Sequence, residues 1–185
     1  MRPRSILLAL AATMLAATVL AATAGAQTTT QTGIGGGGSP HVKSDWTIGG
    51  SAISIAYGRP SLKGRDEAKM MPVGAPWRTG ADEATVITTS KDIMFGSHHL
   101  PAGTYTINTQ PGDKDWQLII GKLGTPKQWG VPYLPNLELF RIPMTLGKAA
   151  KPVEMVTYSI DPAPNGGTLR IEWGTVKVTA PFMVM

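Results

Sequence analysis

The residues best equipped for recognition chemistry lie close together: Trp77, Arg78, Asp82 and Glu83, with Arg59, Lys63 and Arg65 upstream. A guanidinium offers a planar fork of donors to a carboxylate or phosphate, and a neighbouring indole stacks on a ring or sugar. Together they can form a pocket for a small anionic or carbohydrate ligand. The same residues also allow a local ion pair, Arg78 with Asp82 or Glu83, that ties a long loop to the rest of the domain. Both readings are open at this level.

Other reactive types are sparse. The chain has no cysteine, which excludes disulfides, thiol nucleophiles and cysteine-ligated metal centres. His98 and His99 are adjacent, and on a strand adjacent side chains point to opposite faces, so the pair cannot easily chelate one ion. His41 is the only other histidine. Asp113 and Asp115 flank a turn, and Asp82 and Glu83 are consecutive. Neither spacing by itself sets two carboxylates across a substrate. There is no nucleophile elbow and no P-loop. Gly33 to Gly38 matches G-x-G-x-x-G in letters only, because it runs into Ser39-Pro40 instead of a helix. No metal site, cofactor or catalytic motif is therefore expected.

Any such site must be carried by strands. From His41 onward apolar residues alternate with period two: Val42, Trp46 and Ile48, then Ile53, Ile55 and Tyr57 after Gly49-Gly50. Thr85 to Thr89 and Ile93 to Phe95 read as a second hairpin. Gly96-Ser97 turns the chain into His98 to Leu100, and further strands are expected around Tyr105 to Thr109 and Trp116 to Ile120. Leu137 to Met144, Val153 to Ile160, Leu169 to Trp173 and Val176 to Phe182 follow, the last two separated by Gly174. About nine or ten short strands predict an all-β, antiparallel β-sandwich, jelly-roll-like, with little helix. Trp116 and Trp173 fall in phase with apolar neighbours and are expected in the core. Trp129 and Tyr133 lie in a Gly/Pro-rich segment, where surface contact and loop anchoring are both open. The long irregular segments are Arg59 to Gly80, with a short helical turn near Asp66 to Met70, and Lys122 to Pro135. Recognition sites on sandwiches usually occupy such loops.

Residues 1–26 have the pattern of a signal peptide: Arg2 and Arg4, an apolar stretch from Ile6 to Ala22, and Ala24-Gly25-Ala26 before Gln27. Residues 27–40 are rich in Thr, Gln and Gly and read as a flexible linker, leaving 41–185 as a single sandwich domain. The 17 Lys+Arg against 12 Asp+Glu give a formal +5 over 185 residues. Without Arg2 and Arg4 there remain 15 against 12, a net +3. That modest excess, with no Lys/Arg run, argues against a nucleic-acid partner. No later apolar run approaches the roughly 20 residues of a spanning helix. The expected location is periplasmic or extracellular.

Several blocks occur in a recognisable order: Tyr57-Gly58-Arg59-Pro60-Ser61-Leu62-Lys63-Gly64-Arg65, Pro76-Trp77-Arg78-Thr79-Gly80-Ala81-Asp82-Glu83-Ala84-Thr85, and Leu100-Pro101-Ala102-Gly103-Thr104-Tyr105, then Pro111-Gly112 and Trp116. In order and spacing the chain resembles, from about His41 to Phe182, the bacterial family called domain of unknown function 2911. Asp82 stands where that family usually carries Asn, so a role for an Asn amide does not carry over. The resemblance implies an exported β-rich domain and no reaction. The leading expectation is a non-catalytic binding or envelope-accessory module, with Arg59, Lys63, Arg65, Trp77, Arg78, Asp82 and Glu83 at its site. The alternative is a small envelope hydrolase using Asp82 or Glu83 as a general base beside Arg78.

Overall fold

The computed structural model describes residues 27–185; the signal-peptide reading of 1–26 lies outside the described residues. Ten strands carry the domain: β1 Thr28–Ile34, β2 Pro40–Ile48, β3 Ser51–Gly58, β4 Ala81–Thr89, β5 Ile93–Phe95, β6 His98–Leu100, β7 Gly103–Gln110, β8 Trp116–Lys122, β9 Glu138–Ala163 and β10 Gly166–Val184. One short helix, α1 Glu67–Met70, and a 3-10 turn at Pro135–Leu137 complete the set. The strand order is β1-β2-β3-β4-β7-β8-β9-β10-β5-β6, antiparallel throughout. The sheet doubles over on β9, whose first residues pair with β8 and whose later residues pair with β10. The result is sandwich-like and does not close into a barrel.

Alternation sends Val42, Trp46, Ile48, Ile53, Ile55 and Ile87 inward to meet Phe95, Val156, Tyr158, Leu169, Ile171 and Phe182 in one core. Full burial of each such side chain contributes about 1.5–3 kcal/mol. Trp116 and Trp173 are buried as their phase predicts.

Three local expectations are corrected. Thr28–Ile34, within the stretch read as linker, is a strand on the outer edge of β2. All seven of its residues are exposed, so composition, which reports burial, gave no sign of it. Its β-branched threonines and the backbone ladder suffice, helped by a 2.8 Å hydrogen bond between the Thr29 and Ser44 hydroxyls. The second correction concerns β4 and β5, which do not form a hairpin. β4 pairs with β3 and β7, while β5 crosses to pair with β6 and β10. Asp92 closes that excursion, accepting from Ala102 N at 2.9 Å and contacting His99 Nε2 at 2.7 Å, and Phe95 packs on Phe182 with centroids 5.7 Å apart. Finally, the four expected strands after residue 137 are two long ones, β9 and β10. Gly174, at φ +58, lets β10 bend without ending, and Val184 N donates to Asn165 O at 2.8 Å across the bent ribbon.

The helical turn is capped by Asp66, whose side chain accepts from Ala68 N. Glu67 then reaches β10, its Oε2 accepting from Thr175 N at 2.6 Å. A Cβ on Gly174 would overlap that carboxylate, so the glycine is what allows α1 to dock. Among the described residues no helix is long and apolar enough to cross a membrane.

Candidate functional site

The segment Trp77 to Gly80 is held from three sides. Trp77 exchanges backbone hydrogen bonds with Thr109, at 2.7 and 2.9 Å, and its indole stacks on Trp173 at 5.5 Å between centroids and 17° between planes. Trp173 is oriented by its Nε1 donating to Glu154 O at 3.1 Å. Thr79 is buried with φ 52, a backbone state that β-branched residues seldom adopt without support. The support is a buried polar chain. The Tyr158 hydroxyl donates to Thr79 O at 3.0 Å, the Thr79 and Thr109 hydroxyls bond at 2.8 Å, and Tyr158 N donates to Tyr57 Oη at 3.1 Å. Burial pushes the Tyr158 phenol well above its ordinary pKa, so it remains a neutral donor.

This framework places Arg78 on a cleft of about 370 Å³ lined by Lys69, Trp77, Arg78, Asn108, Val131 and Tyr133 among others. Arg78 Nε donates to Gly80 O at 3.0 Å, and its stem runs against Gly130, where a Cβ would come within 2.5 Å of Arg78 Cδ. Within the described residues the two terminal guanidinium nitrogens make no hydrogen bond or ion pair to protein. No carboxylate lines the cleft. The pairing of Arg78 with Asp82 or Glu83 that the sequence allowed is not formed.

Asp82 and Glu83 turn away to a different partner. Asp82, at φ 63, sets its Oδ2 2.9 Å from His41 Nε2, and Glu83 Oε2 lies 3.4 Å from His41 Nδ1. The latter is an ion-pair distance without hydrogen-bond geometry, and Glu83 Oε2 is buried with no hydrogen-bond partner. Because the imidazole directs one nitrogen at each carboxylate, the three groups do not converge on a common centre. Gly35, just beyond β1, lies so close that a Cβ there would overlap both Asp82 and His41. The loop between β8 and β9 is strapped across β4 here, with Ala84 N donating to Gln128 O at 2.9 Å and Gly130 N to Asp82 O at 3.0 Å.

The three upstream basic residues form neither of these groups. Arg59 ties the end of β3 to β9, donating from Nε to Val156 O at 3.0 Å and from Nη2 to Thr157 Oγ1 at 2.8 Å. Lys63, at φ 49, donates its backbone N–H to Glu154 at 2.7 Å, and Arg65 caps its own loop through Leu62 O and Ser61 O. The Ser61 hydroxyl and then the Lys63 amide hold the Glu154 carboxyl below its ordinary range. His98 stacks on Phe140 while His99 pairs with Asp92, as opposite faces of a strand require. Among the described residues no group of three or more His, Asp or Glu is arranged to hold a metal ion.

Trp129 and Tyr133 divide between surface and anchor. Trp129 bridges Glu83 through its backbone while 53% of the residue is exposed. The Tyr133 hydroxyl donates to Glu138, which accepts a forked pair from Arg141 at 2.7 and 2.8 Å. Arg141 holds the Glu138 carboxyl below its ordinary range; burial, then Glu138, push the Tyr133 phenol up to about 12. The depressed carboxyl contributes stability above its unfolded pKa, which is lost as pH falls through the lowered folded value. The raised phenol contributes below roughly 10, a contribution lost as pH climbs toward about 12. Urea-unfolding curves of Glu138→Gln are therefore expected to be flatter than wild type at both extremes of pH, and parallel pH profiles would contradict this linkage.

Lys69, Asn108 and His41 were not legible as site residues. Period two places Asn108 on the outward face of β7, but nothing in the sequence shows that Lys69 on α1 lines the same cleft, or that His41 meets Asp82 across 41 positions.

A family model described as "Protein of unknown function (DUF2911)" matches residues 39–182. No curated protein and no solved structure matches the chain.

Proposed function

The chain belongs to the DUF2911 family of proteins of unknown function, and from that premise we propose that it is an exported, non-catalytic binding module whose ligand is a small anion, free or carried on a sugar ring. The observation that carries this reading is half-buried Arg78, whose terminal guanidinium nitrogens have no partner among the described residues, in a cleft that also presents Lys69 and no carboxylate. A guanidinium and an ammonium lining one cleft make a favourable place for phosphate or carboxylate oxygens. Trp77, Asn108 and Tyr133 add a ring edge and polar groups suited to a sugar. Export rests on the Arg2 to Ala26 pattern, with Gln27 as the expected first residue after cleavage.

The hydrolase alternative needs a carboxylate beside Arg78, and neither Asp82, which is bonded to His41, nor Glu83 lines that cleft. Isothermal titration with inorganic phosphate, sulfate and glucuronate tests the binding reading. At least one is expected to bind, and Arg78→Ala to weaken it ten-fold or more, since a charge-assisted hydrogen bond contributes about 1.5–3 kcal/mol. Stability should fall by only about 0.5–1.5 kcal/mol, the worth of the single Nε bond. Equal affinity in Arg78→Ala, or no binding of any of the three, defeats the proposal.

A further inference from the structure

A second cleft of about 370 Å³ lies beside Lys127, next to the strap formed by Gln128 to Gly130, and unlike the first it presents a carboxylate. Its lining includes Val42, Ala56, Gly58, Ala84, Val86 and Leu123, small and apolar groups from β2, β3, β4 and the segment after β8. The polar groups on its wall are Thr32 of β1, His41, Glu83 and Lys127. We propose that this cleft is a binding site for a compound that joins a primary ammonium to a short apolar body, the ammonium on Glu83 and the body on Ala56, Val86 and Leu123.

His41 turns one ring nitrogen toward each of Asp82 and Glu83. Its Nε2 is taken by Asp82 at 2.9 Å, so Asp82 is held against the ring, while Glu83 receives no hydrogen bond from Nδ1 at 3.4 Å. Glu83 Oε2 is sealed from solvent, yet 38% of the side chain is exposed, and that exposure falls on the rest of the group. The other carboxylate oxygen is the one a ligand can reach; the Glu83 side chain accepts no hydrogen bond among the described residues, and an ammonium supplies three donors on one atom. Ala56, Ala84 and Val86 leave room above the sheet that larger residues would fill, and their apolar surface favours a hydrocarbon over a hydrated ion. Lys127 stands in the same cleft with no ion-pair partner among the described residues. It distinguishes two sources of the same chemistry: a simple amine, which it mildly repels, and a zwitterion such as an apolar amino acid, whose carboxylate it attracts.

The two clefts rest on different residues, so this site stands or falls apart from the Arg78 cleft. The test is titration of the full chain with phenethylamine, phenylalanine and N-acetylphenylalanine, followed by backbone amide NMR. Phenethylamine, phenylalanine or both are expected to shift the Ala56, Ala84 and Val86 amides and leave the Trp77–Arg78 amides in place, whereas N-acetylphenylalanine, which lacks the ammonium, shifts none of them. Tighter binding of phenylalanine identifies the zwitterion, with Lys127→Ala removing the difference; tighter binding of phenethylamine identifies the simple amine. Glu83→Gln should weaken binding ten-fold or more, and Ala56→Leu, which fills the cleft from an exposed position, should abolish it in a folded protein. Binding of the N-acetyl compound as tight as that of phenylalanine, retention of affinity in both variants, or no shift with any of the three would overturn the assignment.

Discussion

Trp173→Ala is expected to cost about 3–5 kcal/mol of unfolding free energy, the range for truncating a large buried aromatic. Trp173 is almost wholly buried and supports Trp77 through a parallel ring stack. Its removal leaves a cavity and also takes away one of the three restraints on the Trp77–Gly80 segment. The loss should therefore appear twice, as a lower urea midpoint and as weaker anion binding at Arg78. Trp129→Ala is the control, because that residue is largely exposed and an exposed substitution usually moves stability by less than about 0.5 kcal/mol. If the two variants unfold together, the stack does not hold the segment and the cleft must be maintained by the Trp77–Thr109 backbone pairing and the Tyr158–Thr79–Thr109 chain.

Gly58→Ala is the second large effect. Gly58 pairs with His41 on one side and Ala81 on the other, and a Cβ there would overlap Ala81 O, with Ala81 C at 3.0 Å. Both neighbours are backbone, so no rotamer change relieves the clash and β3 must move away from β4. Overpacking of this kind costs about 1–3 kcal/mol, a drop of roughly 2–4 °C in Tm for each kcal/mol in a domain of this size. Because Asp82 and Glu83 follow Ala81 directly, their amide resonances should move as well, while Gly36→Ala, which meets nothing within 4 Å, should leave both stability and spectrum unchanged. A Gly58→Ala protein as stable as the Gly36→Ala control would show that the β3–β4 approach is slack.

Much of the scaffold is legible in the sequence because alternation directly encodes which face of a strand is buried. That is why the Val42–Ile48 and Ile53–Tyr57 strands, the burial of Trp116 and Trp173, and the two long loops could all be read from local pattern. The exceptions are places where burial carries no signal. β1 is exposed along its whole length and has the composition of a linker. The connection after Thr89 looks like a tight turn, and only the Asp92 contacts to Ala102 and His99 reveal that it crosses to the other layer.

The seven candidate residues illustrate the same limit. By itself the sequence determined the strand-rich architecture, the absence of thiol chemistry and the loop that carries Trp77 and Arg78. Only the tertiary structure decided that Arg78 has no acidic partner among the described residues, that Asp82 is bonded to His41 with Glu83 on the ring's other nitrogen side, and that Arg59, Lys63 and Arg65 secure loops elsewhere. The reason is geometric. Residues two positions apart on a strand share a face, but an ion pair depends on which strand lies alongside. In a sheet whose neighbours are set by long-range pairing, local spacing cannot report that choice.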